Sequence, residues 1–529
     1  MTRYHRLFHA LRAVSIACAI ALGPPAMAQQ GELKLALSAA PTSLDPHFYN
    51  ISPNLNLAEH IFESLVKMNP DVQPVPGLAK SWKMVDKLTW EFELRPDVRF
   101  HDGSLLTTED VLWSLQRPAT IVGSPGNFAV YTKAIVSARA VGTHTIQLTT
   151  GQPYPLLLSD LAAIAILSKR ATNGLASEDF SNGKGLVGTG PYKFERFVRD
   201  DRVELARFDA YWGPRPAWSK VTLRFIPNNA ARLAALLAGD VQALDNVPPA
   251  DLARLRTQPN LTLASKVSYR LIFLYLDAAR DRSPYVTDKA GKPLAANPLK
   301  DRRVREAISH AIDRQAISDK IMDGLGQPTG NLVPSKLFGY DPALPVPAYN
   351  PALSKRLLAQ AGYPDGFGIT LHTPNNRYVN DDKVAQAIAQ MLGRVSIAAR
   401  VESMPMSVYS ARGSKGDFSF GLLGWGAQTG EASSPLRALA ACPDAATGFG
   451  PFNWLNYCNP RVDALLKQAL TTGDDRQRST LLQQATALVT QDAALVPIHL
   501  QVATWAMKKG IHYVPRTDER THAHEFTAD

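Results

Sequence analysis

Apolar and polar residues alternate with a period of two at 32–39, 88–95, 145–150, 203–208, 221–226, 368–373 and 418–423, which predicts strands there. Between them a helical period predicts helices at 54–66, 107–115, 230–237, 304–322, 351–361, 383–392, 462–470 and 476–489. Thr107 with Asp110 three residues on forms a capping box, and Asp301 sits just ahead of the amphipathic run 304–322. Strands and helices interleave with no repeat of 20 to 50 residues, so the pattern predicts a mixed α/β architecture and excludes solenoids and propellers. The proline-rich stretches 214–216 and 343–351 read as surface connections between elements.

The first 28 residues break this pattern. Arg3, Arg6 and Arg12 precede an apolar run at 13–23, and Ala26-Met27-Ala28 places small residues where a signal peptidase cuts. This reads as a secretory signal peptide with a mature chain from Gln29, directed to the periplasm; the run is too short to span a bilayer. Cys18 lies inside the run without the leucine that precedes a lipidated cysteine. The next most apolar stretch, 156–167, contains Ser159 and Asp160 and reads as a buried helix.

With 529 residues, 45% hydrophobic and 20% charged, the chain can build about three domains, and disorder is excluded. Its 57 Lys and Arg against 47 Asp and Glu give a formal +10, or +7 without the three leader arginines. The basic residues are interleaved with acids, as in Asp301-Arg302-Arg303-Val304-Arg305-Glu306, which argues against nucleic acid as a partner. Two cysteines remain after the leader, Cys442 and Cys458, with 15 residues between them. In an oxidising compartment a disulfide is expected, two separate buried thiols being the alternative.

Complete catalytic motifs are missing. The sequence holds no Gly-x-Ser-x-Gly elbow, no His-Glu-x-x-His and no phosphate loop, and Gly188-Thr189-Gly190 runs into Pro191, which has no amide hydrogen to offer a phosphate. Ser64-Leu65-Val66-Lys67 matches the Ser-x-x-Lys of penicillin-recognising hydrolases, but no Lys-Thr-Gly follows; the serine reads as part of an amphipathic helix. His522 and His524 supply two imidazoles without an obvious third and fourth ligand, and read as a frayed tail. His47, His372 and His499 are scattered, so a metal carrier is a weaker alternative. No cofactor is expected.

Several segments in order carry a resemblance. They are Ser43-Leu44-Asp45-Pro46, Ile61-Phe62-Glu63-Ser64-Leu65-Val66, Pro76-Gly77-Leu78-Ala79-Lys80-Ser81-Trp82, Leu94-Arg95-Pro96-Asp97-Val98-Arg99-Phe100-His101-Asp102-Gly103 and Val187-Gly188-Thr189-Gly190-Pro191-Tyr192. Further along come Ala311-Ile312-Asp313-Arg314 and Leu357-Leu358-Ala359-Gln360-Ala361-Gly362-Tyr363. Together, over 33 to about 505, they resemble the family 5 bacterial extracellular solute-binding proteins of peptide, nickel and glutathione ABC importers. The resemblance implies a two-lobed periplasmic-binding-protein fold of type II, cluster C-like, with an extra inserted domain. It implies domain I from 29–60, 186–270 and 502–529, domain II as the insertion 61–185, and domain III over 271–501. It implies a monomer that captures a peptide-like or zwitterionic solute and hands it to an inner-membrane permease.

Candidate ligand contacts follow the strand at 418–423, in Gly424-Trp425-Gly426-Ala427-Gln428-Thr429-Gly430-Glu431. A loop at the carboxyl end of a buried strand is where open α/β sheets place ligands. In the family's peptide binders an aspartate three residues past this tryptophan pairs with the peptide's amine; here Gln428 stands there, and an amide cannot supply that charge. Glu431 is expected to take over the amine, or else to be a solvated or capping carboxylate. The run Thr429-Gly430-Glu431-Ala432 resembles the glutathione-binding branch. Trp425 is expected to stack on the solute or fill core, and Arg412 or Arg377 to clamp its carboxylate. Tyr49 completes the set.

Overall fold

The computed structural model describes residues 30–126 and 128–529. The expected signal peptide 1–28, with Cys18 and the mature start at Gln29, lies outside them. A twelve-stranded mixed sheet runs through the molecule in the order Tyr192–Val198, Arg202–Arg207, Trp218–Phe225, Gln30–Leu37, Ala243–Asp245, Leu495–Lys508, Leu261–Leu276, Phe420–Gly426, Gly368–Pro374 and Val286–Thr287. Gly326–Pro328 pairs with Leu495–Lys508, and Ala398–Met404 with Gly368–Pro374.

At one end Gln30–Leu37 lies parallel to both Trp218–Phe225 and Ala243–Asp245, and the crossover is the helix Asn229–Ala238. Asn228 caps that helix and Gly239, at φ +87°, ends it. At the other end Gly368–Pro374 is parallel to Ala398–Met404 through the helix Asp381–Gly393. Each end has its own apolar core: Leu33, Leu35, Val221 and Leu223 in the first, Leu274, Ile308, Leu371 and Leu422 in the second.

Two strands join the ends. Leu261–Leu276 and Leu495–Lys508 pair antiparallel over almost their whole length, but the ladder skips between Val267 and Leu271. There Ser268, Tyr269 and Arg270 leave the partner strand, and Tyr269 N–H donates to the Thr517 carbonyl instead. Inserted in the first end is a separate four-stranded antiparallel sheet, Ala79–Met84, Thr89–Leu94, Thr145–Thr150 and Ile135–Ala140 in the order first, second, third, fourth as named, with a core around Phe92, Phe100, Val111 and Ile146.

Three expected elements are shorter than their pattern. The helix expected at 54–66 ends at Ile61, because Glu63 and Ser64 pair as a strand with Ile166 and Ala165. Ser64 and Lys67 are therefore not one helical turn apart: Ser64 Oγ donates to the Val66 carbonyl at 2.5 Å, and Lys67 pairs with Glu63. The run 304–322 is two helices, Arg302–His310 and Arg314–Lys320, since Asp313 accepts from Ala316 N–H at 2.9 Å and starts the second. The buried helix in 156–167 is Leu157–Ala163, after which Ala165–Ile166 turns to strand. The tail also differs: Phe526–Ala528 pairs with Ile511–Tyr513, and His522 is buried rather than frayed. Among the described residues no helix is long and apolar enough to cross a membrane.

Candidate functional site

A cleft of about 2470 Å³ opens between the two ends of the sheet, bordered also by the inserted sheet. That is more than twice the volume of an ordinary small-molecule pocket, as expected of lobes standing apart. One wall comes from the carboxyl ends of the parallel strands, where Ser38 and Asp245 meet. Asp245 accepts from Ser38 N–H at 2.8 Å and lies 3.8 Å from Arg232 Nε; burial nevertheless pushes its carboxyl up to about 6.

The opposite wall is the strand Phe420–Gly426. Gly424 must be glycine: a Cβ there would stand 2.5 Å from Cε1 of Tyr378, whose hydroxyl donates to the Gly424 carbonyl at 2.9 Å. This close packing sets the next residue, Trp425, half-buried in the wall. Its indole N–H donates to Ser434 Oγ at 3.0 Å, and its ring meets Phe452 edge-on at 5.1 Å. Phe449, Phe452 and Trp454 reach the same wall from a loop closed by the Cys442–Cys458 disulfide.

Of the expected contacts, Trp425, Gln428 and Arg377 line the cleft. Gln428 Oε1 accepts from Tyr131 of the inserted region at 3.4 Å, a bond that crosses the cleft. Arg377 is exposed and stacks on Tyr378 with its guanidinium carbon 5.4 Å from the ring centre, and it forms no ion pair among the described residues. Enclosure by the walls and the like charge of Arg270 draw its pKa down.

The structure turns the other three away from the cleft. Glu431 is 5% exposed and gives its oxygens to Arg478 and Ser433, because the chain after Gly430 folds inward against the helix Asp475–Gln491. Burial raises its pKa and Arg478 opposes that. Arg412 faces Glu402 at 2.6 Å and Asp417 at 2.7 Å, which hold its pKa above the usual value. Tyr49 packs on Gly126, where a Cβ would lie 3.2 Å from the ring, and the neighbouring Asn50 reaches the cleft in its place. His47, His372 and His499 are fully buried and do not converge on the cleft.

Four cleft groups escaped the sequence reading. Arg270, in the skipped ladder segment, pairs with Glu519 at 2.6 Å, and Glu519 overrides burial to keep its pKa high. Arg437 sits on a π-helical turn, Leu436–Ala440, a geometry that recurs at functional sites. Facing it is Asp160, from the helix Leu157–Ala163, whose Oδ2 accepts from Tyr154 at 2.7 Å. Burial lifts the Asp160 carboxyl to about 7 against the pull of Tyr154 and Arg437. The one sequence signal for it was a charge in the middle of the apolar stretch 156–167. The fourth group is Asp245. The charged side chains bordering the cleft number eight Lys and Arg against five Asp and Glu, an excess of three positive charges.

Comparison with known proteins gives this geometry a lineage. Residues 73–447 match the family model described as bacterial extracellular solute-binding proteins, family 5 Middle. The chain is 29% identical over 515 residues to the glutathione-binding protein GsiB of Salmonella paratyphi A, covering 95% of this chain and 94% of that one. Its fold superimposes with a TM-score of 0.76 and 25% identity on the periplasmic binding protein DppA of Helicobacter pylori in complex with the peptide STSA, over 94% and 98% of the two chains. HbpA2 of Haemophilus parasuis shares the fold at a TM-score of 0.79 and 23% identity, over 94% and 100%. A two-lobed α/β binding-protein fold of cluster C type, a solute-sized cleft and a family match over most of the chain agree: the chain belongs to family 5 of the bacterial extracellular solute-binding proteins.

Proposed function

We propose that this protein captures an acidic, peptide-like solute with more carboxylates than amines, of which glutathione is the type, and delivers it to an inner-membrane ABC permease after secretion as a monomer to the periplasm. The observation that carries this reading is the charge of the cleft: an excess of three positive charges, with Arg377 offering a guanidinium that forms no ion pair among the described residues. A neutral dipeptide would leave that excess uncompensated in partly dry surroundings, where an unpaired charge is expensive. The glutathione-binding relatives support the same class.

In this reading Arg377 grips a carboxylate bidentately, Trp425 covers the solute's backbone, and Asp160 takes the amine. Asp160 lies close to Gln428, whose amide lacks the charge, since its neighbour Ser159 donates to the Thr429 carbonyl at 2.9 Å, and its raised pKa marks a carboxylate with room for a cation. Closure carries Asp160 and Arg377 onto the solute from different walls. The chain divides as 29–60 with 186–270 and 502–529, 61–185, and 271–501; the separate apolar cores support that division.

Calorimetric titration with glutathione, its amine-acetylated form and dialanine tests the proposal. Glutathione should bind tightest, with the acetylated form weakened and dialanine weakest. Dialanine binding more tightly than glutathione would overturn it.

A further inference from the structure

The carboxyl-terminal segment turns back on itself so that Phe526–Ala528 pairs with Ile511–Tyr513, and the turn between them tucks His522-Ala523-His524-Glu525 against the helix Ser52–Ile61. The His522 and His524 rings stack with centroids 5.2 Å apart, and His60 meets both edge-on. His60 is committed: its Nε2 accepts from Ala523 N–H at 2.9 Å and its Nδ1 donates to the Asn56 carbonyl at 2.7 Å.

The other donors are not. His522 Nε2 lies 2.6 Å from Glu59 Oε2, which places the ring proton on Nε2 and leaves the Nδ1 lone pair pointing toward Glu525, 3.7 Å away. His524 Nδ1 and Glu525 Oε2 are buried with no hydrogen-bond partner, a condition that folded proteins avoid. One ligand atom from each of His522, His524 and Glu525 lies within 4.8 Å of the other two. The surroundings accept a cation: Glu59, Asp518 and Glu525 face Arg516 and Arg520, so the cluster carries one negative charge in excess.

We propose that His522, His524 and Glu525 form a divalent-metal site, for an ion that favours imidazole such as zinc, which pins the carboxyl-terminal arm to the helix Ser52–Ile61. Glu59 is the outer carboxylate that orients His522, an arrangement metal-bound histidines ordinarily show. Tetrahedral donors around zinc stand roughly 3.4 Å apart, from bonds of about 2.0–2.1 Å. The three groups therefore close by up to about 1.4 Å, a shift that side-chain rotation of the half-buried His524 and Glu525 supplies. Their half-exposed side leaves the fourth position to water. The arm so pinned is the one that carries Glu519 and Arg520 to the cleft.

The test uses chelator-stripped full-length protein and zinc chloride, with no solute present, so that it stands apart from the solute reading. Competition with a chromophoric chelator should give one zinc per chain, and zinc should raise the melting temperature. His524→Gln and Glu525→Gln should abolish both effects, and Glu59→Gln should weaken zinc by roughly 10- to 100-fold with the donors intact. X-ray absorption on the wild-type complex should show two imidazoles at the ion. No zinc taken up, fewer than two imidazoles, or equal affinity in the wild type and both donor variants would overturn the proposal.

Discussion

Replacing Asp160 by asparagine should make the protein more stable and a poorer binder at once. The carboxyl is 4% exposed, and burial pushes its pKa up to about 7, against 3.8 for an ordinary aspartate. Asparagine keeps an oxygen to accept from Tyr154 and carries no charge to desolvate. At pH below about 4 the folded and unfolded wild type both hold the proton, and the variant gains nothing. As pH rises toward 7 the unfolded chain loses its proton first, so the wild type is progressively destabilised; the rise from 3.8 to about 7 sets a ceiling of about 4 kcal/mol at pH 8. Chemical denaturation of both proteins from pH 4 to 8 reads the gap directly, since every other titrating group cancels in the difference. In calorimetry the variant should bind glutathione about 10- to 150-fold more weakly, the range of a lost charge-assisted bond of about 1.5–3 kcal/mol, yet bind the amine-acetylated form unchanged. At pH 7 wild-type binding should release about half a proton, because a ligand ammonium draws a half-protonated carboxyl into its ionised form. A stability gap that does not grow with pH, or equal loss for both ligands, would refute the assignment.

Arg377→Ala should weaken an acidic solute by a similar 10- to 150-fold while shifting stability by no more than about 0.5 kcal/mol, because among the described residues its exposed guanidinium makes only the stacking contact with Tyr378; calorimetry and thermal melting check the two halves. Arg412→Ala should leave affinity within twofold, its partners being Glu402 and Asp417. Arg478→Met leaves Glu431 buried and unpaired, and should cost about 3–5 kcal/mol of stability, measured by denaturant titration. Cys442→Ser with Cys458→Ser should lose about 3 kcal/mol and raise hydrogen exchange in 443–457, the loop that carries Phe452 and Trp454 to the cleft.

Elements that bury one face were legible in the sequence; of those buried on both, Gly368–Pro374 and Phe420–Gly426 were read as strands and Leu495–Lys508 was not. Thr145–Thr150 alternates intermediate and buried residues without interruption, and its bounds follow from the pattern alone. Leu495–Lys508 is buried along nearly its whole length, so it has no alternation to read, and Pro497, His499 and Gln501 disguise it further. The cleft was half legible. Trp425 and Gln428 follow from the strand before them, but Glu431 is decided by Arg478, 47 residues away, and Arg412 by Glu402 and Asp417. Charges in a cleft and charges in a buried pair look the same in one dimension; only the partner distinguishes them.

The break in the ladder between Val267 and Leu271 falls where the two ends of the sheet are joined. Two lobes tied by loose peptide would wander through many orientations, and a membrane partner would need to read several angles. Here the two connecting strands pair with each other on either side of a short stretch in which they part and bond other segments instead, Arg270 with Gly426 and Gln501 with Gly326, so the direct tie between them is interrupted at one place. Arg270 lies in that stretch with its guanidinium on the cleft-lining Glu519. The place where the two lobes are joined is thus also part of the cleft's lining, and the same few residues serve as connection and as wall.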